Sequence, residues 1–221
     1  MRLFSDSIGR KAVMATTGLL MILFVVVHML GNLTIFGREA GINAYAEKLQ
    51  SLPPLVWTTR VVMGTSLVLH VILAVIVTLE NWKANPIKYA VNKALKVTFA
   101  GKTMIWTGIL IGAFLGYHLL QFTIHAIPGL VLNTDALHRP DVFGMVFHEF
   151  RITPIVLVYV ASMVALFLHL SHGIQSVFQT FGWSNAFLLP KFELGGRTLS
   201  MIFLVGFGAI PVCILIGLLT K

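Results

Sequence analysis

Five long intervals of this chain carry no formal charge, and they limit what it can fold into more than any other feature. With histidine counted neutral, 26 uncharged residues lie between Lys11 and Arg38 and 19 lie between Arg60 and Glu80. Residues 103–134, 152–190 and 198–220 form three further runs. A helix needs about 20 mostly apolar residues to cross the hydrocarbon core of a bilayer. The chain of 221 residues is 57% hydrophobic and 11% charged, which excludes an ordinary water-soluble fold. The sequence therefore predicts an all-α transmembrane protein, one membrane domain over 1–221, with helices at 12–36, 56–80, 103–126, 153–178 and 198–219. Little chain remains for a separate soluble domain, so any chemistry must sit inside the bundle. Cys213 is the only cysteine, which excludes disulfides, a cysteine-ligated iron–sulfur cluster and a covalent c-type haem site. The first apolar stretch is too long for the h-region of a removable signal peptide.

Orientation follows from the loops, because lysine and arginine near span ends mark the cytoplasmic side. One alternating set of loops holds Arg2, Arg10, Lys11, Lys83, Lys88, Lys93, Lys96, Lys102, Lys191 and Arg197 against Asp6, Glu80 and Glu193. The other set has six basic residues against five acidic ones. The N-terminus is expected inside and the C-terminus outside. The basic inner face suits anionic headgroups or a docked cytoplasmic subunit, and it lacks the interleaved aromatics of a nucleic-acid site. Thr153-Pro154 reads as an N-cap with proline at the first helical position, and Gly182 as the close of that helix. Pro53-Pro54 and Asn85-Pro86 read as breaks on either side of the second span. Pro211 reads as a kink in the fifth, and 127–151 as an outer loop.

Eight histidines in so apolar a chain require an account, since polar side chains within a bilayer usually mark a function or find a partner. His28, His70, His118 and His172 fall well inside expected spans. At 1.5 Å per residue, His28 and His118 come about 24 and 22 Å along helices that run inside to outside. His70 and His172 come roughly 21 and 28 Å along helices that run the other way. The result is two pairs at two depths, the arrangement needed for bis-histidine ligation of two haems. Spacing alone leaves open two haems, one haem, or histidines that only bridge helices; zinc is disfavoured because its structural sites gather four ligands at one place. His169 lies three residues before His172 on the same general face, and depth does not choose between them. Gly18, Gly64, Gly108, Gly112, Gly116 and Gly173 offer room for close approach of a macrocycle. A faint repeat aligns the first and third spans: Gly18 and Gly108 stand ten residues before His28 and His118, and Leu30 and Leu120 two after. His125 belongs at the outer boundary, as a proton-handling or an interfacial structural residue. His138 and His148 belong in the outer loop.

Several strings resemble the cytochrome b membrane subunit of succinate dehydrogenase and fumarate reductase, in its single-chain, five-helix, dihaem form. They are Asp6-Ser7-Ile8-Gly9-Arg10-Lys11, Val27-His28-Met29-Leu30-Gly31-Asn32-Leu33, Asn43-Ala44-Tyr45-Ala46-Glu47, and the run from Leu168 through His169, His172-Gly173, Ser176, Phe178-Gln179 and Gly182. The resemblance implies haem b ligated by His28 and His118 near the outer face and by His70 and His172 near the inner face. It implies a flavoprotein partner with covalent FAD, an iron–sulfur partner on the basic inner face, menaquinone as exchangeable substrate, a bacterial cytoplasmic membrane, and a complex that can assemble into a higher oligomer. Activity on succinate would belong to the complex and not to this chain alone. Quinone-site candidates are Glu47, with Asn43 and Tyr45, and then His125. Ser7, Arg10, Lys11 and Thr16 are candidate propionate contacts. The chain departs from some fumarate-reducing relatives in having no carboxylate near the fourth-span ligand, where Leu168-His169-Leu170-Ser171 stands, and its loop before that span is long. A dihaem cytochrome of another membrane dehydrogenase, or a haem-free anchor or channel, is the competing expectation.

Overall fold

The computed structural model describes residues 6–84 and 98–220; the expected break at Asn85-Pro86 and the basic residues Arg2, Lys88, Lys93, Lys96 and Lys221 lie outside them. Eight α-helices and one 3-10 turn make up the described chain. Five stretches are long and apolar enough to cross a membrane.

Helix α1, Ser7–Leu33, starts earlier than expected because Asp6 caps it, its carboxylate accepting from the Gly9 amide at 2.6 Å. A 3-10 turn, Thr34–Gly37, leads into α2, Arg38–Gln50, a helix where the hydropathy pattern suggested only loop. Helix α3, Pro53–Ala84, opens on the two prolines read as a break. A proline at the first helical positions loses no hydrogen bond, since those amides have no intrahelical acceptor. The short α4, Phe99–Lys102, and α5, Met104–Phe122, supply the third span. The segment expected to be loop at 127–151 contains α6, Val142–Glu149, capped by Asp141. Helix α7 covers Thr153–Thr180 with Ile152 as N-cap, one residue before the expected cap. Gly182, at φ +74, closes it as expected: the Trp183 amide reaches back to Phe178 O at 2.9 Å and the Gly182 amide to Gln179 O. Helix α8, Leu189–Leu215, runs through the buried Pro211.

Small residues set how closely these helices approach, as in membrane bundles generally. Gly196 of α8 lies against α7: a Cβ there would sit 3.3 Å from Ile174 Cβ and from Ser171 O. One turn on, Ser200 is fully buried and returns its hydroxyl to Gly196 O. Gly206 accommodates Met29 of α1, and Gly31 of α1 lies against the Tyr45 ring of α2. One core cluster joins α1, α7 and α8 through Ile22, Met29, Leu170 and Phe203. A second, built on Phe143, Phe150, Val156, Tyr159, Ile210 and Ile214, gathers α6, α7 and α8 at the end of the bundle that carries α2 and α6. Outward faces are apolar instead of charged, with Leu23, Val27 and Leu30 on α1, Val61, Val68 and Ile72 on α3, and Ile109 and Leu110 on α5 all exposed. A face of that size is stable against lipid and a liability in water.

Candidate functional site

Four spanning helices carry histidine into the interior, and the side chains meet in twos. His28 of α1 and His118 of α5 have ring centres 6.0 Å apart at an interplanar angle of 84°. His70 of α3 and His169 of α7 have centres 6.4 Å apart at 58°. Along α1, Gly18 marks the level of the second pair and His28 the level of the first, so the pairs are separated by about 15 Å of helix rise.

The inner pairing differs from the expectation. His169, not His172, faces His70, while His172 is turned toward Gly101, where a Cβ would lie 3.2 Å from its Cε1. Three residues along a helix displace a side chain by about 4.5 Å and about 60° of azimuth, enough to send the two imidazoles to different neighbours. The Nδ1 of His172 is buried and has no hydrogen-bond partner among the described residues.

Two matching cradles explain why His70 and His169 take these positions. His70 packs on α1 over Gly18, where an added Cβ would lie 3.2 Å from Cε1; its Nδ1 is 3.0 Å from Met14 O and 3.4 Å from the Thr17 hydroxyl. His169 packs on α5 over Gly108, its Nδ1 3.2 Å from the Thr107 hydroxyl. Met14-Ala15-Thr16-Thr17-Gly18 and Met104-Ile105-Trp106-Thr107-Gly108 repeat one pattern, Met-x-x-Thr-Gly, each ten residues ahead of a paired histidine. The repeat in α1 and α5 thus extends beyond the glycine and leucine matches. Thr17 and Thr107 were not anticipated; this shared string was the available signal.

The first pair sits among aromatic rings. Phe24 stacks on His28 at 5.3 Å and Phe207 lies at 5.9 Å; Phe114 and Phe122 each lie 5.8 Å from His118. His118 Nδ1 is 3.1 Å from the Tyr159 hydroxyl. His28 is held differently: the Asn32 amide lies 3.3 Å from its Nε2 while also donating to His28 O. A half-turn of the ring about Cβ–Cγ exchanges Nε2 with Cε1 and leaves the ring centre in place.

These dimensions suit a metal between each pair. A histidine nitrogen binds a metal at about 2.0 Å, so two rings on opposite sides of one metal have centres about 6.2 Å apart when each nitrogen stands about 1.1 Å from its ring centre. In three of the four rings Nδ1 faces a hydroxyl or carbonyl, which leaves Nε2 for the metal, and Nε2 of His70, His118 and His169 has no hydrogen bond among the described residues. Gly108, Gly112 and Gly116 recur every four residues on α5, and a Cβ on Gly112, Gly116, Gly64 or Gly173 would meet nothing within 4 Å. Among the described residues no three His, Cys, Asp or Glu side chains converge on one point.

The remaining candidates separate. Asn43 is fully buried and structural: it donates to Asp135 and Asp141, and its side-chain oxygen accepts from the Phe143 amide at 2.9 Å. Tyr45 packs on Gly31. Glu47 is exposed, 3.9 Å from Arg139, and does not line the shallow pocket formed by Ala46, Gln50, Trp57 and Arg60. His125 is exposed just past α5 with φ +58. At the opposite end Arg10 grips Glu80 of α3 with two hydrogen bonds, 2.7 and 2.9 Å, and Thr16 returns its hydroxyl to Ala12 O. Ser7 and Lys11 are exposed on the first turns of α1. The histidine face of α1 presents Thr17 instead of Thr16.

A polar cluster not foreseen from sequence continues from His118. The Tyr159 hydroxyl donates to Gln121 Oε1 at 2.7 Å, Gln121 Nε2 donates to Glu149 Oε2 at 2.6 Å, and Glu149 Oε1 lies 3.4 Å from His148 Nδ1. Gln121 and Glu149 are buried and His148 is half exposed.

No protein-family model matches this chain, and no curated protein or solved structure does so either.

Proposed function

We propose that the chain is a dihaem cytochrome b, the membrane anchor of a succinate:quinone oxidoreductase in a bacterial cytoplasmic membrane. The carrying observation is the pairing of four intramembrane histidines at two levels, with ring separations of 6.0 and 6.4 Å that match two axial imidazoles on one iron. His28 and His118 would hold the haem nearer the outside, and His70 and His169 the one nearer the inside, with the N-terminus cytoplasmic according to the distribution of basic loops. Bound haem b supplies one-electron transfer, and its potential is set by axial ligands, burial and hydrogen bonds. The chain's own residues orient those ligands: Met14 O, Thr17, Thr107 and Tyr159 hold the imidazoles by Nδ1, and the aromatic and glycine faces exclude water.

The partners follow from the resemblance: an iron–sulfur subunit and an FAD flavoprotein on the basic inner face, with menaquinone exchanging at the outer end. Glu47 remains the quinone-site candidate because it is exposed, 3.9 Å from Arg139, whereas Asn43 is committed to its buried hydrogen bonds. Electron movement across the bilayer makes the reaction direction sensitive to membrane potential, at about 2.3 kcal/mol per charge per 100 mV. Purified chain should show a reduced-minus-oxidised b-type spectrum with two haems per chain, and should co-purify with a flavoprotein. A colourless chain refutes the reading.

A further inference from the structure

Arg60 stands where charged chain gives way to an uncharged span. Helix α2 holds Arg38, Glu39, Glu47 and Lys48 within 13 residues, whereas α3 carries no charge from Val61 to Leu79. Leu55, Trp57, Val61 and Val62 are exposed on either side of Arg60, and Arg60 is exposed with them. An arginine beside a tryptophan at such a border belongs at the level of lipid headgroups, where the ring is half in hydrocarbon and the cation reaches toward water.

Only Ser51 and Leu52 separate the end of α2 from the start of α3, and the crook between the two helices is a shallow cleft of about 350 Å³, large enough for a small ligand. Ala46 and Gln50 line it from the last turn of α2, and Pro53, Trp57 and Arg60 from one face of the first two turns of α3. No carboxylate lines it. The ion pairs among the described residues engage Arg10, Arg139 and His148, and Glu47, the nearby acid of α2, is turned to Arg139. The contact of Arg60 is with the Trp57 ring, whose centre lies 5.0 Å from the guanidinium carbon. That contact uses none of its five N–H donors. A cation at the edge of hydrocarbon without a counter-ion is costly, so the cleft selects for an anion.

We propose that the crook of α2 and α3 binds the phosphate of an anionic phospholipid, held by the Arg60 guanidinium. The fork of N–H groups matches two phosphate oxygens, and opposite charges strengthen bonds of this kind. Gln50 offers an amide donor from the α2 side, and Trp57 with the exposed apolar residues around it gives the glycerol and upper acyl chains a bed. One guanidinium beside an open apolar face suits a singly charged phosphodiester that carries its own chains. Free phosphate brings no chains to that face, and a quinone carbonyl brings no charge to offset the cation. The site is independent of the haem reading, since none of the paired histidines lines it.

Photo-labelling of the full chain in lipid nanodiscs, together with any subunits that accompany it, tests this. Phosphatidylglycerol carrying a photoreactive group on its headgroup should label the stretch 46–60, and unlabelled phosphatidylglycerol should compete that label away. Arg60→Ala should lower labelling of this stretch about tenfold, the equivalent of one hydrogen bond to a charged group, while labelling of the basic loops at the opposite end stays unchanged and serves as the control for folding. Phosphatidylcholine and inorganic phosphate at the same concentration should compete poorly. Unchanged labelling of 46–60 in Arg60→Ala overturns the proposal. Inorganic phosphate that competes as well as the lipid shows a free-anion site and overturns it too, as does a menaquinone analogue that displaces the label one for one. Should Arg60→Ala fail to assemble, the wild-type competition decides: label absent from 46–60, or not competed by phosphatidylglycerol, refutes the assignment.

Discussion

Replacing His169 and His172 separately by alanine distinguishes two imidazoles that lie one turn apart. The ring of His169 is centred 6.4 Å from that of His70, within about 0.2 Å of the separation two nitrogens at about 2.0 Å from one iron require. His172 is displaced by about 4.5 Å along the axis and about 60° around it, and its ring lies against Gly101 of α4. For His172 to replace His169, α7 would have to slide and turn by those amounts, breaking the close contact of its Ser171 and Ile174 with Gly196 of α8. His169→Ala is therefore expected to lower haem content from two per chain to one, halving the reduced-minus-oxidised signal, and His172→Ala to keep both haems. Pyridine haemochrome assay against protein concentration gives the ratio, and low-temperature spectra show which haem is lost. Two haems retained in His169→Ala, with one lost in His172→Ala, would refute the geometric assignment.

Other outcomes follow from single contacts. Tyr159→Phe leaves the His118 N–H and Gln121 oxygen without their hydroxyl partner, and loss of such a supporting group typically weakens metal-site affinity about 10–100-fold; haem on His28 and His118 should dissociate that much more readily during detergent dialysis, with the His70–His169 haem unaffected. Gly31→Ala places a methyl group within the Tyr45 ring, and overpacking of this kind costs about 1–3 kcal/mol, to be read as a lower melting temperature that Tyr45→Ala partly restores. Partial burial alone would raise the Asp135 carboxyl, but hydrogen bonds from the Arg139 side chain and amide, from Asn43 and from the Leu137 amide outweigh it and hold the group at about 2. Because the folded value lies below the ordinary 3.8, its contribution is complete above that pH and disappears as pH falls toward and through about 2. Hydrogen exchange at the Leu137 and Arg139 amides should accelerate over that acid interval, and Asp135→Asn should remove the acid dependence.

Helix count and the grouping of histidines at two levels along the helices were legible because both depend on one-dimensional quantities, charge spacing and rise per residue. The expected spans coincide with the long helices apart from their ends, where Asp6 and the tandem prolines extend α1 and α3. Azimuth was less legible. Depth could not separate His169 from His172, and the resemblance placed His172 in the pair; in the structure it is His169 that packs over Gly108 beside Thr107 and lies against His70. The α2 and α6 helices were read as loop because their support is tertiary. Asn43 on α2 satisfies the Phe143 amide at the start of α6 and meets Asp135 and Asp141, partners roughly one hundred residues distant. Glu149 was counted only as a loop charge, since no local pattern shows that Gln121 and Tyr159 enclose it.

The duplicated Met-x-x-Thr-Gly string has a mechanical consequence. Each of α1 and α5 bears an imidazole of one pair and seats an imidazole of the other, so neither helix can be adjusted for one pair alone. A slip of a single residue, about 1.5 Å, would misalign both levels together. Insertions or deletions between Gly18 and His28, or between Gly108 and His118, should therefore be far more damaging than substitutions in the same stretch.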